Sequence, residues 1–278
     1  MTKMAVIGAG MMGHAVTAGI IKNHVLDAGN IFTADVDPAK TEAMKKELGT
    51  VPAENNLAAV ENADVILLSV KPQYLPDVMK ELNGKIPLDS FILSIVAGVP
   101  MAKIEEGFDH DRVIRVMPNT PAQIGEGVSA WIASQAVTAP QIDLAEKILK
   151  SLGVVVSVSK ESDLDSVTAL SGSGPAYVFL MIEALIDAGV HLGLPRKTAE
   201  TLAVQTVRGS ADYMIQRGAH PAVLKNEVTS PGGTTAEALY WLEKDGFRTA
   251  VSDAVWACYE RTVELGAGGR RTKGPENS

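Results

Sequence analysis

The sequence predicts an α/β protein: a doubly wound, mostly parallel sheet over residues 1–161, followed by an all-helical domain over residues 162–266. Three observations predict it. Up to about residue 160, short apolar runs alternate with helical stretches, and strands separated by helices imply crossover connections within one sheet. The runs are apolar at successive positions, as strands covered on both faces must be. After residue 162 no strand pattern recurs, and long helical stretches are separated by glycine and proline breaks.

In order, the strand-like runs are residues 4–7, 31–34, 65–70, 91–96, 113–117, 128–132 and 154–158, with amphipathic helices expected at 38–48 and 141–152 among others. The second domain reads as helices over 176–192, 196–217, 221–227, 234–244 and 247–265. Its breaks are Gly193-Leu194-Pro195, Gly218, Ser230-Pro231-Gly232-Gly233 and Asp245-Gly246. The helix over 176–192 is apolar around most of its circumference, so it must be buried on all sides. Five helices form too thin a bundle to bury it, which predicts a homodimer, or a higher homo-oligomer, built through this domain. Residues 267–278 turn polar and glycine-rich and are expected to form a disordered tail.

The composition excludes several function classes. A net charge of −8 argues against a broad nucleic-acid face. The single cysteine, Cys258, rules out an intramolecular disulfide, and five scattered histidines show no metal-ligand spacing. The N-terminus has no basic segment leading into a long apolar run, and the apolar stretch 178–194 is interrupted by Glu183, Asp187 and His191. The expectation is a cytoplasmic protein with no membrane span, no metal and no nucleic-acid partner.

The chemistry begins at Gly8-Ala9-Gly10-Met11-Met12-Gly13, which follows the first strand and opens a helix running to about Asn23. Gly8 permits the tight turn, Gly10 lets the backbone approach a pyrophosphate, and Gly13 lets helix and strand pack closely. The helix N-terminus offers free N–H groups and its positive dipole end. In this context the motif reads as the dinucleotide site of a Rossmann domain rather than a bare glycine-rich turn. At the end of the second strand, Asp35 lies where a carboxylate would bond the ribose 2′-hydroxyl of NADH, and no arginine is present to pair with the 2′-phosphate of NADPH. Lys40 is either a compensating cation or a solvated helix residue. The balance leans to NADH or to dual use of NADH and NADPH.

Five further segments stand at places where ligands bind. Ser69-Val70-Lys71-Pro72 and Ala97-Gly98 follow successive strands at the carboxyl edge of the sheet. Asn119, held between Pro118 and Pro121, is either a carboxamide or substrate contact or an Asx turn. Ser171-Gly172-Ser173-Gly174-Pro175 precedes the apolar helix, as a close-approach turn or an interdomain hinge. In Ser230-Pro231-Gly232-Gly233-Thr234-Thr235-Ala236-Glu237, Thr234 and Glu237 read as a capping box. The two glycines would expose N–H groups to an anion, and Thr235 would be free to face a ligand, which makes a carboxylate site with one adjacent hydroxyl.

With these segments in order, the sequence resembles the pyrroline-5-carboxylate reductases across the chain to about residue 265, through VIGAGMMG, VILLSVKPQ, RVMPNTPAQIGEG, LSGSGPAYVF, EALIDAGVHLGLPR and VTSPGGTTAEAL. The resemblance implies a Rossmann domain joined to a helical dimerisation domain, with the site between one subunit's cofactor and the partner's helical domain. The implied reaction is reduction of the cyclic imine of pyrroline-5-carboxylate to L-proline. It also implies that Gly8 to Gly13 hold the pyrophosphate, Asn56 the adenosine side, and Lys71-Pro72 with Ala97-Gly98 the nicotinamide side. Gly233, Thr234 and Thr235 would bind the substrate carboxylate, with Val228 packing nearby. The departure is Asp35-Val36, where many relatives carry an asparagine-arginine pair suited to NADP. Thr235 is the expected catalytic group, bonding the ring nitrogen or relaying a proton to it.

Two other readings are open on the residues. A β-hydroxy acid dehydrogenase would need a catalytic lysine from the helical half, for which Lys225 and Lys197 are the candidates. A non-catalytic dinucleotide-sensing regulator could dispense with the Ser-Pro-Gly-Gly turn and Thr235, both of which are present.

Overall fold

The computed structural model describes residues 1–266; the tail expected at 267–278 lies outside the described residues. The chain forms two compact units. One is Met1–Ser173 together with residues 258–266, and the other is Gly174–Ala257.

The first unit carries eight strands: β1 (Met4–Ile7), β2 (Ile31–Ala34), β3 (Val51–Pro52), β4 (Val65–Leu68), β5 (Phe91–Ser94), β6 (Val113–Met117), β7 (Gly127–Ala133) and β8 (Gly153–Ser157). Its helices are α1 (Met11–Lys22), α2 (Pro38–Leu48), α3 (Asn56–Val60), α4 (Leu75–Leu82), α5 (Met101–Phe108), α6 (Ala139–Lys150) and the short α7 (Asp163–Val167). The strand order is β3-β2-β1-β4-β5-β6-β7-β8, parallel throughout except for the antiparallel β6–β7 pair. The order reverses direction at β1, beside β4, the switch point where ligands of doubly wound sheets bind.

Successive strand residues feed two cores, one on each face of the sheet. Ile7, Ile66, Leu68 and Ile92 pack with Leu75, Ile104 and Phe108 on one face. Val6, Val65, Leu67 and Leu93 pack with Val16, Ile20 and Ile148 on the other. This double burial explains why the strands read as continuous apolar runs. Strands β4 and β5 end two residues earlier than their apolar runs suggest, because the chain leaves the sheet there to build loops. Strand β3 was invisible in the pattern: it is two residues long and ends in a proline, which only a sheet edge tolerates.

The second unit contains α8 (Gly174–His191), α9 (Arg196–Arg217), α10 (Pro221–Glu227), α11 (Thr234–Lys244) and the first half of α12 (Phe247–Gly266). Helices α8 and α9 pack through small residues: a Cβ on Gly189 would stand 2.9 Å from the Ala199 Cβ. Most of the apolar surface of α8 stays uncovered within one chain, with Phe179 at 62% and Leu180 at 67% exposure.

The division between units falls later than residue 162. Helix α7, a π-helical turn over Thr168–Gly172 and α8 form one continuous helical run, and its first turns bury Leu164 and Ala169 in the sheet unit. By length and composition alone, the run Asp163–His191 could cross a membrane.

Candidate active site

The nucleotide half of the site grows out of the β1–α1 turn. Gly8 adopts φ +100°, a left-handed conformation that side chains rarely take, and a Cβ there would meet the Ser69 backbone at 2.9 Å. At Gly13 a Cβ would lie 2.2 Å from the Gly8 carbonyl oxygen, so helix α1 can sit this close to β1 only with glycine there. Gly10 differs from both: it has ordinary dihedrals, and a Cβ would meet no heavy atom within 4 Å. Packing therefore does not require glycine at position 10. The open space above it, at the N-terminus of α1, is a cradle that fits a pyrophosphate. Met11 and Met12 begin the helix, with Met11 largely exposed beside that space.

Ser69 closes the turn from the neighbouring strand, donating its hydroxyl to the Gly8 carbonyl at 2.6 Å. Val70 is half-buried, and Lys71-Pro72 starts a one-turn helix at the same sheet edge. Ala97 is exposed, and Gly98 turns the chain at φ +69°. The side-chain amide oxygen of Asn119 accepts the Val128 N–H at 2.9 Å and ties the loop after β6 to the start of β7, in place of an Asx turn, while its amide nitrogen has no hydrogen-bond partner among the described residues. Asn56 is paired with Glu81 at 2.7 Å, while Asn55 caps α3.

Asp35 is drawn into the glycine loop. One carboxylate oxygen accepts the Ala9 N–H at 2.8 Å, and the other accepts the Asp37 N–H at 2.9 Å and the Lys40 ammonium at 3.1 Å. Burial alone would push this carboxyl up, but the N–H groups of Asp37 and Ala9 and the charge of Lys40 outweigh it and hold the pKa below the ordinary value. The group is therefore ionised at neutral pH.

One cluster carried no role in the sequence. Arg115, on β6, is buried and ion-paired with Glu161, whose carboxylate also accepts the Met101 N–H at 2.6 Å and so caps α5. With Asp165 and Gly98 they line a cavity of about 290 Å³. The available signal was a charge inside the apolar run Val-Ile-Arg-Val-Met, which a buried strand tolerates only when paired.

In the helical unit, the turn before α11 departs from the expected capping box. Ser230 accepts the Gly233 N–H at 3.0 Å across Pro231 and Gly232, and Gly232 has φ +67°. This is the geometry of a type II turn, with proline then glycine at the centre. The helix is consequently capped by Gly233 and not by Thr234, which is its first residue, and the Glu237 carboxylate accepts from the Trp241 indole at 3.1 Å instead. The Ser230 side chain folds into the space beside Gly233, where a Cβ would lie 2.4 Å from its hydroxyl oxygen. Both threonine hydroxyls and the N–H groups of Thr234, Thr235 and Ala236 lack hydrogen-bond partners among the described residues. The expectation held that one hydroxyl was free, and the structure leaves two. Val228 ends α10 and is exposed nearby in sequence. Lys225 and Lys197 lie in the last turn of α10 and the first turn of α9, outside this turn.

Comparison with known proteins agrees with both halves. Residues 161–265 match the family described as pyrroline-5-carboxylate reductase dimerisation, and residues 3–98 match the NADP oxidoreductase, coenzyme F420-dependent family. A curated pyrroline-5-carboxylate reductase from Synechocystis is 42% identical over 95% of this chain and 98% of its own length, and one from Methanosarcina acetivorans is 40% identical over 95% and 98%. A solved pyrroline-5-carboxylate reductase from Coxiella burnetii superposes with TM-score 0.89 at 35% identity, covering 95% of this chain and 98% of that one. The Plasmodium falciparum pyrroline carboxylate reductase, solved with NADP bound, gives TM-score 0.85 at 34% identity over the same shares. The chain belongs to the pyrroline-5-carboxylate reductase family.

Proposed function

We propose that the chain reduces 1-pyrroline-5-carboxylate to L-proline with its carboxylate anchor at the Gly233–Thr235 turn, Thr235 as the catalytic hydroxyl, and NADH accepted at Asp35. The bound dihydronicotinamide supplies hydride to the imine carbon. The chain's own residues orient the reactants and protect the imine's charge. The observation that carries the reading is the turn before α11: three unpartnered N–H groups at the positive end of a helix, flanked by two unpartnered hydroxyls. That donor set suits a carboxylate. Thr235 donates to, or relays a proton toward, the ring nitrogen, so no histidine or lysine general acid is needed.

On the nucleotide side, Gly8 to Gly13 hold the pyrophosphate, Asn56 the adenosine, and Ser69 to Pro72 with Ala97, Gly98 and Asn119 the nicotinamide side. The ionised Asp35 supports NADH, because a fixed carboxylate repels a 2′-phosphate and accepts from a 2′-hydroxyl. The apolar face of α8 is covered by a second copy of the chain, in keeping with the dimerisation family it matches.

The test is oxidation of NADH and of NADPH by the purified protein with pyrroline-5-carboxylate. Oxidation of NADH at least as fast as NADPH is expected, and a strong preference for NADPH overturns the role given to Asp35. Thr235→Val should lower kcat/KM by about 5- to 140-fold, the effect of one hydrogen bond of about 1–3 kcal/mol. Unchanged kinetics in that variant would remove Thr235 from the chemistry.

A further inference from the structure

The carboxylate of Asp35 is almost fully occupied by the protein itself. One oxygen already accepts from Asp37 N and Lys40 Nζ, and the other accepts from Ala9 N. A carboxylate oxygen has about two acceptor sites, so one site remains for a ribose hydroxyl where a bare aspartate would offer more. Lys40 is placed the opposite way. Its side chain is 46% exposed, against 9% for Asp35, and only one of its three ammonium hydrogens is used. Because Asp35 is pinned to the amide of Ala9, Lys40 is held at the edge of the glycine loop. Among the described residues it is the one cation paired with Asp35, while Lys45, further along α2, leans toward Glu42.

We propose that Lys40 is the specificity-determining residue of the adenosine-ribose site: its ammonium stays on Asp35 when the ribose carries a 2′-hydroxyl and turns to a 2′-phosphate when the ribose carries one. This rests on the reading of the Gly8–Gly13 turn as a dinucleotide site. Such a residue would let a chain with a fixed carboxylate at the end of β2 accept a phosphorylated cofactor without an arginine. The ammonium neutralises Asp35, and its pairing with the phosphate replaces the bond it gives up.

The experiment measures binding without turnover. Calorimetry on the full chain compares 5′-AMP with adenosine 2′,5′-bisphosphate, for the native protein and for Lys40→Met, which keeps the apolar stem and removes the charge. The expected result is about a tenfold or larger loss for the bisphosphate with less than about threefold change for AMP, the difference shrinking as salt rises. Equal losses for both ligands, or none for either, overturn the proposal. Asp35→Asn should tighten the bisphosphate, and adding Lys40→Met should abolish the gain. A gain that survives without Lys40 means that simple relief of repulsion was responsible, and it overturns the proposal too. If the native chain binds neither adenosine ligand while NADH still binds, the assignment of this end of the site is wrong and Lys40 has no such role. If NADH also fails to bind, the dinucleotide reading itself has failed.

Discussion

Alanine at Gly10 and at Gly13 should have opposite consequences, although the two glycines sit three residues apart in one turn. At Gly13 the new Cβ would lie 2.2 Å from the Gly8 carbonyl oxygen and 2.7 Å from the Ser69 hydroxyl. Both atoms are fixed, the first by the backbone and the second by its hydrogen bond to Gly8, so α1 must move away from β1. Overpacking of this kind costs about 1–3 kcal/mol. For a unit of this size, that lowers Tm by roughly 3–10 °C. At Gly10 the dihedrals are already those of an ordinary residue, and the Cβ enters open space. Losing glycine at an N-cap costs up to about 1 kcal/mol, and restricting the unfolded chain returns about 0.4–1 kcal/mol, so Tm should barely change. Cofactor binding should instead weaken about tenfold or more, because the methyl occupies the space proposed for the pyrophosphate. Thermal melts of the cofactor-free protein and NADH titrations measure both. Gly10→Ala binding NADH with native affinity, or Gly13→Ala melting within about 1 °C of the native protein, would refute the assignment of roles within the turn.

Three other outcomes follow from burial and charge. His110 is buried with its Nε2 at 3.0 Å from the Ser90 carbonyl oxygen, and burial lowers its pKa. Its contribution to stability is present above the unfolded value of about 6.5 and lost as pH falls toward the folded one, so urea unfolding should weaken from pH 7 to 5, and less so in His110→Asn. Asp165 is pushed up by burial, with Arg115 opposing the shift and Glu161 adding to it. A raised carboxyl favours folding below its unfolded pKa and loses that contribution as pH rises, so Asp165→Asn should stabilise the protein at pH 7, with the gain fading toward pH 4. Leu180 lies exposed on α8, so Leu180→Asp should shift the protein toward monomer in light scattering; an unchanged oligomer would place the interface elsewhere.

The fold was legible wherever a local pattern was strong. Helices 38–48, 196–217, 221–227 and 234–244 were bounded to the residue by proline, glycine and acidic or basic ends. The packing roles of Gly8 and Gly13 also followed from sequence, because each answers a local steric demand. Legibility failed where a partner is distant in the chain. Nothing near Glu161 says that it meets Arg115, 46 residues away, or caps α5 at Met101. The register of the cap at Gly233 depends on a turn one residue upstream, so the local pattern points to Thr234 for a role that the glycine fills. Asn119 and Asn56 show the same limit: their type was readable, while their partners Val128 and Glu81 were not.

Helix α12 begins in the helical unit but ends in the nucleotide-binding one, where Thr262 is buried and Leu265 stands against the Gly98 turn. The Cys258 thiol also lies 3.3 Å from the Ser173 hydroxyl, so the chain leaves the nucleotide unit and re-enters it at one doorway. Topologically, the helical unit is an insert. A fragment ending at residue 173 would lack the last strut of its own domain, whereas excising 174–257 and joining the ends with a few residues would keep it. During synthesis the sheet can form early, but the nucleotide unit stays incomplete until the ribosome has made the residues that close α12.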